Sequence, residues 1–574
     1  MLRLAMAHEC SRCLLPAVGF DTNPREAMSS YFRAVAIDYD GTLTHGRCPS
    51  DEVLEALAAF RADHRYVVLV TGRILEELLA DFPDAVQHFD ALVTENGAVV
   101  WHGGLEKPVV PPVASALVTH LQQRGVHLRQ GRVILALDAQ HDAAVRGICV
   151  SLGLDAQLVR NREALMVLPA GVTKATGLRE ALCILGVSYH STVGIGDAEN
   201  DLALLQACEL GVAVGNAVPS LKAMADYILP DQNGAAVARF VREQIPGGMN
   251  DLQPSRRRVP LGITEAGGDV TIPASRAHVF VDGPTGSGKS YVAGLFIEAL
   301  AEAGYTVCVL DFEGDHGALG HELRGMLALG GAEPLPTVDE VGRIIKHRFS
   351  SVVLNLSLRN PALRCAYARD VITELTAIRA ERGLPHWIIV EEAHMVEAEV
   401  LELARSHGNL CLVTYHPDWL PESAMTQADV LITMEGGGWG RVALGPDRQH
   451  SVRFRAGARE VAHVRHMHKY GAGAVAYERG FSFRGSYGEQ GPHVTTLPDF
   501  CERLATVPDA MILHHAAHRD FSRWVRDVFQ DRTLAASLRR LESECRPGAL
   551  DDFRSQVQDL IQLRYDFSAS AQSA

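Results

Sequence analysis

No apolar run in this sequence approaches the roughly 18–20 residues of a membrane-spanning helix, so no membrane partner is expected. The first thirty residues fit neither a signal peptide nor a helix or strand pattern. Met28, directly before Ser29-Ser30-Tyr31 and the first strand-like run, is an alternative start. Positive charge is not in surplus. Lys and Arg number 54 against 69 Asp and Glu, a net charge of −15. That excludes a wholesale polyanion-binding surface and leaves nucleic acid only a local patch. Aromatic residues are few, at 6%. The eleven cysteines form no disulfide framework. Several sit in apolar runs such as Val307–Leu310 and read as reduced core residues of a cytoplasmic protein. His8, Cys10 and Cys13 offer half of a zinc site with no second pair. There is neither an internal repeat nor a long low-complexity segment.

What is present is ordinary globular material: 47% hydrophobic and 21% charged residues over 574 positions. At roughly 100–200 residues per domain, that length implies three or four domains. Strand-like and helical runs alternate from Tyr31 to about Gln244, the rhythm of a parallel sheet covered by helices. Ile245-Pro246-Gly247-Gly248 and the polar stretch after it read as a linker over 246–260. A second α/β series follows, with strands expected at His278–Asp282, Thr306–Asp311, Ser351–Leu356, His386–Glu391, Leu410–Thr414 and Val430–Met434. The glycine-rich run from Glu435 to Gly440 is expected to close it, leaving 441–567 as an accessory module and 1–30 without assigned structure.

The first chemical constellation begins where Ala34-Val35-Ala36-Ile37 stops at Asp38-Tyr39-Asp40-Gly41-Thr42-Leu43. Parallel sheets bind ligands at the carboxyl ends of their strands, and here that end carries two carboxylates. Tyr66–Val70 ends in Thr71-Gly72-Arg73, whose hydroxyl and free N–H groups suit a phosphoryl oxygen. Lys174 opens a helix, where its ammonium can neutralise a phosphate and an aspartate together. Val193-Gly194-Ile195-Gly196 leads into Asp197-Ala198-Glu199-Asn200-Asp201, oxygen ligands for a hard cation. Any one of these alone is usually a turn or a solvated side chain. Their order on successive strand ends is what points to a site.

This arrangement resembles the haloacid dehalogenase superfamily over residues 31–245, most closely its Cof-type branch with sucrose-phosphatase-like and archaeal phosphoglycolate-phosphatase-like enzymes. Thr94-Glu95-Asn96-Gly97-Ala98 and Gly211-Val212-Ala213-Val214-Gly215-Asn216-Ala217 are also typical of that branch. The resemblance implies that Asp38 attacks phosphorus to form an aspartyl-phosphate. Asp40 would protonate the leaving group and then activate water, while Thr71 and Lys174 hold the phosphoryl group. Asp197, Asp38 and the Asp40 carbonyl would hold Mg²⁺, with Asp201 supporting them. Ala175 departs from the glycine that often follows the lysine. The stretch of about 98–171 would be an α+β cap that selects a phosphorylated small molecule, a sugar phosphate or a phosphoglycolate-like ester. In it, strands are expected at Val133–Leu137 and Leu165–Leu168 and a helix at Asp142–Leu152. Arg160, Asn161 and Arg162 are candidates to touch an anionic or polyol group, or else form a solvated loop.

The second constellation is Gly283-Pro284-Thr285-Gly286-Ser287-Gly288-Lys289-Ser290 after a strand and before a helix, the setting in which backbone N–H groups cradle phosphates. Lys289 would reach the β and γ phosphates of ATP and Ser290 would ligate Mg²⁺. Downstream, Trp387-Ile388-Ile389-Val390 ends in Glu391-Glu392-Ala393-His394. The order resembles the RecA-like ATPases, and within them the HerA/FtsK-like group, over about 260–440. That resemblance implies that Glu391 supports the Mg²⁺ and that Glu392 polarises the attacking water. Thr414-Tyr415-His416 stands where the group usually has a glutamine, and Arg441 is the candidate arginine finger. The expected architecture is therefore α/β: a Rossmann-like core with an α+β cap, a RecA-like P-loop domain, and a mostly helical C-terminal module.

Residues 441–480 carry eight Lys and Arg against three acids, which reads as a polyanion contact, a solvated face or an inter-subunit contact to ATP in a homo-oligomer. His514, His515, His518 and Asp520 share a helical region and form a weak metal candidate. The leading expectation is a phosphatase joined to an ATPase. The alternatives are a kinase–phosphatase pair, with Asp311 as kinase base and Asp315 as helper, and an ATP-switched regulatory assembly.

Overall fold

The structure, a computed structural model, describes residues 31–46, 48–161, 164–231, 233–246, 254–406, 408–445, 451–461, 475, 477–486, 488–529 and 531–565. His8, Cys10, Cys13, Met28, Arg162, Arg448, His450, His463, Arg465, His466, His468 and Lys469 lie outside the described residues. Among the described residues, no helix is long and apolar enough to cross a membrane. The nine described cysteines are all free, and Cys48 and Cys183 are exposed rather than in a core.

The chain opens with β1 (Ala34–Asp38), β2 (Tyr66–Val70), β3 (Ala91–Thr94), β4 (Val99–His102) and β5 (Leu105–Pro108). It then builds a separate antiparallel sheet from β6 (Arg129–Gln130), β7 (Leu135–Asp138), β8 (Ala156–Asn161) and β9 (Ala164–Pro169), in the order β6-β7-β9-β8. Next β10 (Thr192–Gly196), β11 (Leu210–Ala213) and β12 (Tyr227–Ile228) rejoin the first sheet, giving β12-β11-β10-β1-β2-β3-β4-β5. From β12 to β3 the strands run parallel. Every residue of β1 and β10 is buried, which is why they read as unbroken apolar runs. The helix Asp51–Ala62 buries Val53, Ala56, Leu57 and Phe60 on one stripe and places Asp51 and Glu52 in its first turn, where the helix dipole favours acids. In the inserted sheet the helix Asp142–Leu152 falls as expected, but β6 and β8 had gone unread. Both are edge strands, β6 of two exposed polar residues and β8 of mostly half-buried ones, and their pattern is weak.

The second sheet contains β13 (Arg258–Thr264), β14 (Asp269–Pro273), β15 (His278–Asp282), β16 (Val307–Asp311), β17 (Met326–Gly330), β18 (Ser351–Asn355), β19 (Trp387–Val390), β20 (Asn409–Val413), β21 (Val430–Gly436), β22 (Trp439–Leu444) and β23 (Ser451–Ala456). Its order is β14-β13-β23-β22-β21-β15-β20-β19-β16-β18-β17. The seven strands from β21 to β17 are parallel, and the other four are antiparallel additions. This departs from the expected limits of 261 and 440. Gly436, Gly437 and Gly438 all take positive φ and turn the chain back into β22, so the glycine run folds a hairpin instead of ending the sheet. Finally, β24 (Phe481–Arg484) and β25 (Gln490–Val494) form a hairpin. It packs with helices between Leu497 and Arg564 on a core that includes Phe483, Phe500, Phe521 and Val557.

The expected linker is also firmly bound. Arg256 Nη2 donates to the carbonyls of Leu205 (3.1 Å) and Cys208 (2.9 Å) and to Asp226 Oδ2 (2.6 Å). Arg257 Nη2 donates to Cys208 O at 2.6 Å. These carbonyls end the helix Leu202–Ala207, where intrahelical partners run out, so guanidinium donors replace them. Beside them Glu209, fully buried, accepts from Tyr305 Oη at 2.9 Å, from Ser275 Oγ and from His190 Nδ1 at 2.8 Å. His190 Nε2 meets Ala303 O at 2.9 Å, which ties the two large sheets' layers together.

Candidate active sites

The carboxyl ends of β1, β2 and β10 meet at one cleft of about 620 Å³ that Asp38, Asp40 and Asp197 line. Asp38 pairs with Val70 across β1 and β2, so Thr71 stands beside it at the sheet edge. Lys174, buried at the start of the helix Lys174–Leu185, donates to Asp38 Oδ1 at 2.5 Å and to Asp201 Oδ1 at 2.6 Å. Asp201 Oδ2 accepts from the N–H groups of Asp197 (3.0 Å) and Ala198 (3.1 Å), which fixes the acidic loop. Oxygens of Asp38, Asp197 and Asp201 all lie within 4.8 Å of one another.

The electrostatics follow from three carboxylates around one ammonium. Burial, then the charge of Asp201, pushes Asp38 up to about 8 even though Lys174 pulls the other way. Burial works against the charge of Lys174, yet Asp201 and Asp38 outweigh it and hold the ammonium above its ordinary value. Asp38 Oδ2 is buried and has no hydrogen-bond partner. Gly41, at φ 88°, packs so tightly that a Cβ there would lie 2.2 Å from Asp197 Oδ2. An orphaned carboxylate oxygen, an all-oxygen donor set and excess negative charge fit a small hard cation.

Asp40 takes a different environment. Its carboxylate, 45% exposed, is gripped by Arg73, with Nε to Oδ2 at 2.8 Å and Nη2 to Oδ1 at 2.6 Å. Arg73 also reaches Asp81 (2.7 Å) and lies over the Tyr39 ring at 5.0 Å. The Asp40 side chain thus stands apart from the metal cluster, and any ligand from this residue comes from its main chain. Arg73, at the tip of β2, carries no role in the sequence pattern alone.

Nor does that pattern assign roles to Glu95 and Asn216. Glu95, wholly buried, accepts from the N–H groups of Arg132 (2.7 Å), Val133 (2.8 Å) and Ile134 (3.0 Å), so the core holds the inserted sheet by its backbone. Asn216 Nδ2 donates to Gly41 O at 3.0 Å. The sequence signal for both lay in the two short segments named as typical of the branch.

The second site lies where β15 ends. Gly283, Gly286 and Gly288 take φ of 139°, 75° and 106°, and a Cβ on Gly283 would lie 2.5 Å from Met434 O. Thr285 is exposed on this loop, and Ser290 sits in the first turn of the helix Lys289–Glu302. Lys289 Nζ donates to Gly283 O (2.9 Å) and Pro284 O (3.0 Å), and burial lowers its pKa against the pull of Glu392 and Glu391. Glu391 and Glu392 follow β19, two strands away from β15. Glu391 Oε1 meets His316 Nε2 at 2.8 Å. Burial, then Glu391, pushes Glu392 up to about 8, and its Oε2 accepts no hydrogen bond. Ser287 Oγ is likewise buried and unpartnered. Positive-φ glycines, a buried lysine and unsatisfied polar atoms fit a phosphate chain with a cation.

Four expectations change here. Asp311 is unsuited to be a kinase base. Its carboxylate is saturated by the N–H groups of Glu313, Gly314, Asp315 and His316. Arg441 is held by Glu435 on its own hairpin at 2.8 Å. Among the described basic residues of 441–480, Arg453 also pairs with Glu435 and Glu265, and Arg459 with buried Glu298, so these arginines are already engaged within the fold. His515 is occupied at both nitrogens, by Asp520 Oδ2 (2.8 Å) and by the N–H of Arg484 (2.8 Å), which leaves no lone pair for a metal.

A Rossmann-like sheet with carboxylates, a lysine and a threonine at its strand ends, under an α+β insertion, defines a hydrolase of the haloacid dehalogenase type. A family model described as haloacid dehalogenase-like hydrolase matches residues 154–241, and one described as helicase HerA, central domain, matches residues 264–361. A phosphoglycolate phosphatase of Methanothermobacter thermautotrophicus is 30% identical over 220 residues, 37% of this chain and 97% of the relative. One of Halorubrum lacusprofundi is 31% identical over 216 residues, 34% of this chain and 90% of the relative. A solved haloacid dehalogenase-like hydrolase from Bacteroides thetaiotaomicron is 21% identical, with a TM-score of 0.33, covering 37% of this chain and 99% of that one. The chain belongs to the haloacid dehalogenase-like hydrolases, as a phosphatase fused to a HerA-like domain.

Proposed function

We propose that the first site hydrolyses a small phosphate monoester through an aspartyl-phosphate, and that the second binds and hydrolyses ATP. The phosphatase reading is carried by Asp38 Oδ2, a buried carboxylate oxygen with no partner, beside Lys174. That oxygen attacks phosphorus, the bond to the leaving oxygen breaks, and Asp40 gives the leaving oxygen a proton. Asp40 then takes a proton from water, which attacks phosphorus, breaks the Asp38–phosphorus bond and releases inorganic phosphate. Asp38, Asp197 and the main chain of Asp40 would hold Mg²⁺, which offsets charge on the phosphoryl oxygens when bound. Thr71 and Lys174 position those oxygens, and Asp201 holds Lys174. Phosphoglycolate, the substrate in the names of the curated relatives, is the first ester to try.

At the second site the loop Gly283–Ser290 cradles the phosphates, with Lys289 as their cation. Glu392, raised and with no hydrogen bond at Oε2, where His394 Nδ1 lies 3.5 Å away, is the group to accept a proton from the attacking water. The saturation of Asp311 favours ATP hydrolysis over a kinase. The test is phosphate release from phosphoglycolate and, separately, from ATP with no acceptor. Asp38→Asn is expected to lower the first by about a thousandfold or more and leave the second intact. Lys289→Ala is expected to do the reverse. Phosphoglycolate turnover that survives Asp38→Asn defeats the nucleophile assignment.

A further inference from the structure

In the second sheet β20 lies between β15 and β19. Thr414, the residue after β20, therefore stands between the phosphate loop that follows β15 and the acidic pair that follows β19. Its N–H donates to Val281 O at 3.0 Å, two residues before Gly283. Its Oγ1 accepts from the N–H of His416 at 3.0 Å and lies 3.1 Å from His394 Nδ1. His394 Nδ1 in turn lies 3.5 Å from Glu392 Oε2.

His394 is held in that place. Its side chain is buried, and the rings of Tyr415, His416 and Trp419 stand edge-on to it at 5.0, 5.3 and 5.5 Å. Tyr415 also lies under Lys289 Nζ, which is 5.7 Å from the ring centre. Burial, then His416 and Lys289, brings the His394 pKa down to about 4, so the ring is neutral and carries one N–H. An ionised carboxylate only accepts. With the proton on Nδ1, that N–H faces both Thr414 Oγ1 and Glu392 Oε2. With the proton on Nε2, a lone pair would face the carboxylate, so Glu392 selects the first tautomer.

Glu392 needs such a hold. Its backbone sits at φ 50° and ψ 53°, a left-handed conformation that costs energy for a residue with a side chain. Its Oε2 is buried and accepts no hydrogen bond. An N–H aimed at that oxygen favours the ionised form that a base requires.

We infer that His394, anchored by Thr414, is a positioning residue that holds the Glu392 carboxylate for water activation. The inference rests on the ATPase reading above and deepens it. The covalent step is unchanged: the water oxygen bonds to the γ phosphorus, the bond to the bridging oxygen breaks, ADP leaves and the water proton passes to Glu392. His394 touches neither the phosphate nor the water in this scheme.

ATP hydrolysis by the full chain is measured for wild type, His394→Ala, His394→Asn, Thr414→Val and the double variant His394→Ala with Thr414→Val. His394→Ala should lower kcat by about 10–100-fold, the size of a misplaced catalytic group, with KM for ATP little changed. His394→Asn offers an amide N–H near the place of Nδ1 and should run at least about fivefold faster than His394→Ala, the worth of one hydrogen bond. Thr414→Val should lower kcat as well, and adding it to His394→Ala should cost nothing more, because both act through one contact. Unchanged kcat in His394→Ala, a KM that rises as far as kcat falls, no gain from asparagine, or additive losses overturn the inference. Thermal unfolding of Glu392→Gln, His394→Ala and their double variant separates the two readings. Non-additive shifts in a chain that releases no phosphate from ATP sink the hydrolysis reading and leave the hold on Glu392 standing. Additive shifts sink the hold itself, whatever the turnover.

Discussion

At the scale of single residues, Lys174 carries more weight than a phosphate contact. It is the one ammonium among three clustered carboxylates, and it is 1% exposed. Removing one member of a buried ion pair leaves uncompensated charge, a loss of about 3–5 kcal/mol. Lys174→Met keeps the length and removes the charge, so it is expected to lower stability by that order and abolish phosphatase turnover. Denaturation with and without Mg²⁺ checks the cause: added Mg²⁺ should recover part of the loss, and no recovery would mean that the carboxylates do not share a cation. Lys174, Asp38, Thr71 and Asp197 were legible because each follows an apolar run, and chain order places such ends side by side. Arg73 and Glu95 were not. Their partners lie 33 residues away at Asp40 and 37–39 residues away at Arg132, Val133 and Ile134, and no local pattern encodes a carboxylate caught by distant backbone N–H groups.

At the scale of elements, the loop Glu95–Gly97 joins three parts of the phosphatase. Glu95 holds the cap backbone, the N–H of Asn96 donates to Thr71 O at 3.0 Å, and Gly97 packs under the helix that begins at Lys174. Gly97 has φ 98°, and a Cβ there would lie 1.9 Å from Thr173 O. Gly97→Ala is therefore expected to cost about 1–3 kcal/mol from backbone strain alone and to push Lys174 away from Asp38, lowering kcat at least tenfold. Gly103→Ala is the control: its φ is also positive, at 56°, but nothing lies within 4 Å of its Cβ. It should lose stability without losing kcat, and equal kcat losses at both sites would remove the steric argument. Parallel strands buried on both faces were readable as apolar runs. The cap-sheet edges β6 and β8 and the antiparallel strands β13 and β23 were less so, because they leave much of their length exposed and take their register from partners that no local pattern encodes.

At the scale of the molecule, composition suggested independent domains on a linker, and the structure joins them through buried polar groups. The P-loop helix ends beside Ala303, whose carbonyl meets His190, and His190 lies just before β10, which leads to Asp197. Glu209 is the hub of this contact. Facing it are His190, Tyr305 and Ser275 by hydrogen bonds, Arg257 at 3.5 Å, the charge of Arg276 and the hydroxyl of Tyr31, which burial and Glu209 keep protonated. Burial alone would raise its pKa, but His190, Arg257 and Ser275 outweigh that and bring it down to about 2. A carboxylate whose folded pKa is depressed adds stability above its unfolded value, near 4.5, and that stability fades as pH falls toward about 2. Glu209→Gln keeps the shape and removes the charge, leaving Arg257 without its counter-ion and His190 without its carboxylate partner. The variant is expected to unfold at lower temperature than the wild type at pH 7, with the gap narrowing as pH drops below about 4.5, because the unfolded wild type takes up a proton there while the folded carboxylate stays ionised down to about 2. Thermal scans of both chains from pH 7 to pH 3 measure that gap. A constant gap across the range would mean that Glu209 holds the two parts together by shape and not by charge.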